Sequence, residues 1–247
     1  MILNKPNLPQ GKVNAVVVSG ADKEIIARFE SMGITPIICK SDDILQDPVK
    51  SHADMSFLHI TEKICLISKL QTELKFQLEK LGYTCVTLGS DLKREYPGDC
   101  LLNAAVIGGT VICNPKSADA VISDIAEKSG LRVITTSQGY TKCSVLPVNE
   151  NAFITSDKSI YRSSIAAGFD ALYVNPAGIE LPGYGNGFIG GCGGLIGKNT
   201  LAICGELSHF AEGGKIMGFC NNYGTDIISL IKGQLRDIGS ILPVSCE

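Results

Sequence analysis

A chain of 247 residues with 22 Lys+Arg against 25 Asp+Glu, 19% charged and 45% hydrophobic, is globular and excludes a disordered protein. Its longest basic cluster is Lys93-Arg94, followed at once by Glu95, so there is no direct nucleic-acid footprint. Residues 1–12 are polar, with Pro6 and Pro9 and no apolar run, and no stretch approaches a membrane span; the expectation is a cytoplasmic protein without a membrane partner.

Residues 15–19 read as a strand, followed by Ile25, Ile26, Phe29 and Met32 at helical spacing, Gly33, and a strand over 34–39. A hairpin-like segment over 54–68 turns at Thr61-Glu62-Lys63. After it come a helix marked by Leu70, Leu74, Leu78 and Leu81, then Gly82 and a strand over 84–88. The pattern repeats with a hairpin over 101–114 turning at Gly108-Gly109, a helix with Val121, Ile122 and Ile125, Gly130, and a strand over 131–135. A hairpin over 143–155 precedes a weaker helix over 160–167, Gly168 and a strand over 171–175. Last come a hairpin over 191–205, a long segment over 206–224 read as a loop or lid, and a helix with Ile227, Ile228, Ile231, Leu235 and Ile238. Gly239 and a strand over 240–244 end the chain.

Glycine just past a helix takes the left-handed conformation that a β-carbon penalises, which explains the recurrence at Gly33, Gly82, Gly130, Gly168 and Gly239. Five such joints predict five ββαβ units in one ring, an α/β propeller with five-fold pseudosymmetry. The first unit lacks a hairpin, so its partner strand comes from elsewhere, as in a ring that closes on itself. A repeat of this kind cannot bury its apolar face alone, which sets one domain over 12–247 with 1–11 as an N-terminal strap.

On this architecture, and on the wording Gln138-Gly139-Tyr140-Thr141-Lys142-Cys143-Ser144 and Glu180-Leu181-Pro182-Gly183-Tyr184, the chain resembles an uncharacterised branch of the pentein fold. That is the five-bladed β/α propeller of the guanidino-group modifying enzymes and of the ribosome anti-association factor. His52-Ala53-Asp54 is similar to the His-x-Asp motif of arginine and agmatine deiminases. The resemblance implies that His52 shuttles protons and Asp54 binds one edge of a planar guanidinium. In those deiminases the motif comes one unit before the nucleophilic Cys, whereas here it stands in the second unit.

Alternation along a strand puts His52 and Asp54 on one face. Nine residues before Thr61 lies His52, and nine before Gly108 lies Asp99. The same count from Asn149 reaches Tyr140, and seven back reaches Lys142, the counterpart of Asp54. Related by rotation, these residues and Asn186 converge as a polar mouth.

Thiolate chemistry on a guanidinium needs a nucleophile, a proton donor and carboxylates, and no cofactor. The nucleophile candidates are Cys143, whose neighbour Lys142 lowers a thiol pKa if the two meet, Cys246 near the chain end, and Cys192 in a Gly-rich stretch. The ten Cys contain no CxxC pair and only three His accompany them, so no metal site is expected. His209, with Glu212 nearby, is a reserve acid or base. Gly185-Asn186-Gly187-Phe188-Ile189-Gly190 matches GxGxxG, but no helix follows it, which points to tight backbone packing near the axis or a flexible rim loop instead of a dinucleotide site.

Two functions follow. One is a cysteine-dependent hydrolase or transferase acting on a guanidino or amidino group of a small molecule, using His52, Asp54, Asp99 and Cys143 or Cys246, with Tyr140, Lys142 and Asn186 around the substrate. The other is a non-catalytic binding protein, either like the anti-association factor or specific for a small molecule.

Overall fold

The computed structural model describes residues 1–247, which form five three-stranded sheets. The first blade holds β1 (Val13–Ser19), α1 (Lys23–Ser31) and β2 (Thr35–Cys39). A one-turn helix, α2 (Ala53–Ser56), opens the second, followed by β3 (Phe57–His59), β4 (Ile64–Ile67), α3 (Thr72–Leu81) and β5 (Thr84–Thr87). The third contains β6 (Ala105–Ile107), β7 (Thr110–Cys113), α4 (Ala120–Lys128) and β8 (Arg132–Thr135). The fourth contains β9 (Val145–Pro147), β10 (Ala152–Thr155), α5 (Lys158–Ala166) and β11 (Asp170–Tyr173). In the fifth are β12 (Gly193–Gly197), β13 (Thr200–Cys204), α6 (Gly213–Asn222) and β14 (Asp226–Ile231).

Blades two to five share one plan: an antiparallel hairpin, then a helical crossover to a parallel third strand, so the hairpin's second strand lies in the middle. Middle strands such as β7 and β10 are buried along their whole length, which is why they read as unbroken apolar runs. Each helix buries a narrow stripe, Ile25 and Phe29 on α1 or Leu74 and Leu78 on α3, at the four-residue spacing of one face. Leu70 and Leu81, at the ends of the stripe expected on α3, face solvent.

The partner strand missing from the first unit is the chain's own end. β15 (Leu242–Cys246) runs antiparallel to β1, with Val13 opposite Cys246 and Val17 opposite Leu242. The first residues lie across this seam: Ile2 bridges Ser245, the Leu3 N–H donates to Tyr83 Oη at 3.2 Å, and Tyr83 Oη donates to the Val244 carbonyl at 2.7 Å. No helix is long and apolar enough to cross a membrane.

The fifth unit departs from expectation. Residues 227–231 belong to β14, where Ile227 pairs with Leu201 and Ile228 with Ala202, and the helix is α6, inside the segment read as a loop or lid. Two adjacent Ile followed by a third fit either period, and a parallel neighbour decides for the strand. The Gly213-Gly214 opening masked the helix, because glycine disfavours helices. The fifth joint is therefore Gly224, not Gly239.

His59 is buried against the edge of the Tyr83 ring, with centroids 4.9 Å apart and neither ring nitrogen hydrogen-bonded. Burial pushes its pKa down from 6.5 to about 4. Between those values the unfolded chain takes up a proton that the folded chain does not, so stability falls as pH drops through this window. Urea unfolding at pH 7 and pH 4 is expected to show a loss about 3 kcal/mol smaller for His59→Phe than for the parent protein. Tyr83→Phe, which leaves the Leu3 N–H and the Val244 carbonyl without their partner, should lower the unfolding free energy by about 1–3 kcal/mol at neutral pH.

Candidate active site

Each blade sends one irregular segment inward, and these segments close a circuit of hydrogen bonds. The Asp54 N–H donates to the Gly239 carbonyl at 3.2 Å, and Asn103 Nδ2 donates to the Asp54 carbonyl at 3.1 Å. The Cys143 N–H then donates to Asn103 Oδ1 at 3.1 Å, the Gly191 N–H to the Cys143 carbonyl at 3.0 Å, and the Ser240 N–H to the Gly191 carbonyl at 3.1 Å.

His52 and Asp54 do not lie on a strand. His52 precedes the single turn of α2 and Asp54 lies within it, because the first pairing of β3, Phe57 with Ile67, begins only after that turn. They diverge as a result. His52 Nδ1 lies 3.7 Å from Asp237 Oδ1, whereas Asp54 Oδ2 accepts a hydrogen bond from Ser240 Oγ at 2.6 Å. Lys142 and Cys143 also occupy a turn, formed as the Ser144 N–H reaches the Tyr140 carbonyl and the Val145 N–H the Lys142 carbonyl. Neighbouring side chains can then leave in different directions: Lys142 Nζ donates to Ser240 Oγ at 2.9 Å, while Cys143 Sγ accepts from Asn103 Nδ2 at 3.0 Å.

A cavity of about 130 Å3 opens where these segments meet. His52, Cys143, Asn186 and Asp237 line it together with Tyr140, Tyr184, Phe188, Val49, Met55 and Leu181. Its carboxylate is firmly held: Asp237 Oδ2 accepts from the Phe188 N–H at 2.9 Å and Oδ1 from the Gly239 N–H at 3.1 Å. Gly191 makes room for it, since a β-carbon there falls 1.8 Å from Asp237 Oδ1. Gly239, at φ +77°, passes so close to His52 that a β-carbon would lie 2.4 Å from its Cα.

The electrostatics follow from burial. Desolvation raises the Asp237 pKa, as does Asp54 to a smaller extent, against the opposing pull of His52. Desolvation lowers that of Lys142, with Asp54, Cys143 and Asp237 acting the other way. The expectation that Lys142 activates Cys143 fails: burial, with Asp54 and Asp237 next, pushes the thiol well above its ordinary value.

Of the residues expected at the site, His52, Tyr140, Cys143 and Asn186 line the cavity. Asp99 lies behind Tyr140, accepting from its hydroxyl at 2.6 Å, and Asp54 and Lys142 form a buried layer joined through Ser240. Cys246 is elsewhere, at the end of β15 opposite Val13, because its strand closes the first blade. Cys192 is buried with its thiol on the Phe188 carbonyl at 3.3 Å, and does not line the cavity. His209 sits in an exposed turn 3.6 Å from Glu206, and Glu212 precedes α6 and pairs with Lys215 at 3.1 Å. The GxGxxG segment runs into a 3-10 turn (Ile189–Cys192) and then β12; Gly187 packs tightly against Asp237 and Gly190 against the backbone at Lys142 and Cys143, whereas Gly185 meets nothing within 4 Å.

Asp237, Ser240 and Asn103 were not foreseen. Reading 227–238 as a helix hid the first; the signal available was Gly224, which follows α6 and leaves Asp237 free for a loop after β14. Leu181 and Tyr184, by contrast, lie in one of the two segments that carry the resemblance, and Tyr140 and Cys143 in the other.

Residues 16–242 match the model of a family of unknown function, DUF6873. The chain belongs to that family. No curated protein matches the sequence of this DUF6873 chain. Its fold is shared with inosamine-phosphate amidinotransferase StrB1 from Streptomyces griseus, at TM-score 0.61 and 9% identity over 100% of this chain and 97% of that one. SxtG, an amidinotransferase of saxitoxin biosynthesis from Microseira wollei, superposes at TM-score 0.59 and 9% identity, covering 92% and 91%. Agmatine deiminase from C. jejuni, with substrate bound, gives 0.58 at 12% identity, covering 100% and 97%. The five-bladed arrangement of the DUF6873 chain is thus the pentein fold that the sequence led us to expect.

Gly191→Ala is expected to displace the Asp237 carboxylate and lower stability by about 1–3 kcal/mol, the usual range for overpacking a buried site. Gly214→Ala, which meets nothing within 4 Å near the start of α6, should be neutral or stabilising by up to about 1 kcal/mol. Denaturant midpoints of the two variants check the contrast.

Proposed function

We propose that this protein modifies a guanidino or amidino group of a small molecule, with Cys143 as the nucleophile, His52 as the proton carrier and Asp237 as the carboxylate that receives the cation. The observation that carries this reading is that all three side chains line one small cavity. Asp54, joined to Ser240 and absent from the lining, passes to Asp237 the role expected of it, and Asp99 acts only through Tyr140.

Without a ligand the thiol is neutral, because burial and two carboxylates oppose its ionisation. A guanidinium paired with Asp237 offsets the effect of the carboxylates. A unit positive charge about 4 Å from the sulfur, at an effective dielectric constant near 20, favours the thiolate by about 4 kcal/mol, or about three pKa units. The thiol proton passes to the His52 imidazole, and the sulfur lone pair forms a bond to the guanidinium carbon as the C=N π pair moves onto nitrogen. The departing C–N bond breaks with its electron pair on the amine nitrogen, which takes the proton back from His52. The amidino group then rests on Cys143 as an isothiouronium, which water releases in a hydrolase and an amine releases in a transferase. Asn103 Nδ2, 3.0 Å from the sulfur, donates to it and favours the thiolate throughout.

The raised thiol supports a second reading, in which the cavity captures a cation without turning it over. Amine or ammonia release from a panel of alkylguanidines separates the two. Cys143→Ser is expected to lower turnover by at least about a thousandfold while ligand binding persists, and Cys246→Ser to leave turnover unchanged. Turnover surviving in Cys143→Ser would remove the nucleophile; binding without turnover in the parent protein would establish capture.

A further inference from the structure

Resting on the guanidino reading of the cavity, we infer that its ligand carries no carboxylate: it is a guanidinium or amidinium on an apolar or amine-ended chain, not a free amino acid of the arginine type.

An α-carboxylate held one alkyl chain away from a guanidinium calls for an Arg, a Lys or converging N–H donors at the mouth of the site. The lining contains no Arg and no Lys. Three cations stand next to lining residues in sequence, and each is turned elsewhere. Lys142, beside Cys143, gives its ammonium to Ser240 at 2.9 Å in the buried layer. Lys50, beside Val49, lies 3.0 Å from Asp47 and 3.6 Å from Asp43. Arg236, beside Asp237, pairs with Asp22 at 3.0 Å.

The groups that do face outward suit a cation or a hydrocarbon. Phe188 and Tyr140 stack with ring centroids 5.9 Å apart, and Tyr140 is followed by the half-exposed Tyr96 at 5.7 Å, so an aromatic row leads from the cavity towards solvent. Asp99, hydrogen-bonded to Tyr140, adds negative charge along this path. Burial, with Asp99 and Glu95 after it, pushes the Tyr184 phenol up. A ligand carboxylate in the cavity meets no cation among the lining residues and has Asp99 behind Tyr140, whereas a distal amine is attracted; Lys93, Arg94, Lys116 and Arg162 lie further out, on the clefts that share Tyr96.

Calorimetric titration of the full chain with butylguanidine, agmatine and arginine tests this. Agmatine and butylguanidine are expected to bind, with arginine at least tenfold weaker. If butylguanidine binds and arginine binds as tightly or more tightly, the inference falls and the guanidino reading stands. If none of the three binds, the guanidino reading itself falls and takes the inference with it. Tyr184→Arg places a cation on an exposed residue at the mouth, where folding is not at risk, and should shift the agmatine-to-arginine affinity ratio at least fivefold towards arginine. An unchanged ratio in that variant contradicts selection by the charge of the mouth.

Discussion

The hydrogen-bond circuit through Asp54, Asn103, Cys143, Gly191 and Gly239-Ser240 takes one element from each blade, and the site exists only while it is closed. Its last link depends on β15 returning to β1. That pairing carries residues 237–240 back to the start of the ring, where Asp237 meets His52 and Ser240 meets Asp54. Antiparallel pairing at the seam, with Tyr83 and the first residues laid over it, therefore fixes the position of a carboxylate belonging to no blade's own hairpin. Rigidity here comes from backbone groups tied to one another directly or through the Asn103 amide.

Buried charge is costly unless it is paired, and this centre holds two carboxylates, one ammonium and an imidazole. Ser240 Oγ mediates between Lys142 and Asp54, and two N–H groups hold Asp237. With His52 neutral the carboxylates outnumber the ammonium by one. Burial first, and this imbalance after it, push the Cys143 thiol up, and a cationic ligand offsets the second of the two. The excess of carboxylates thus adds to burial in holding the thiol back and favours positively charged ligands.

Much of the ring was legible because its elements obey short-range rules. The apolar stripes of α1, α3 and α4, the glycines that end them and the unbroken middle strands are local, and of the residues reached by counting from each hairpin turn His52 and Tyr140 line the cavity while Asp99 lies behind Tyr140. What was not legible depended on partners far away in sequence. The Ile-rich stretch at 227–231 became a strand because β13 lay beside it. His52-Ala53-Asp54 became a helical turn because pairing in β3 starts at Phe57, so two residues expected on one face point to different places. Cys246 was a nucleophile candidate near the chain end, but strand closure placed it at the seam.

The central claim is that Cys143 carries the amidino group covalently. It is tested most directly by rapid acid quenching of the protein mixed with butylguanidine, followed by mass mapping of all ten Cys. One amidino adduct, confined to the peptide containing Cys143 and declining as product accumulates, is the predicted result. Product forming with no adduct on Cys143, or with the adduct on any other thiol, contradicts it.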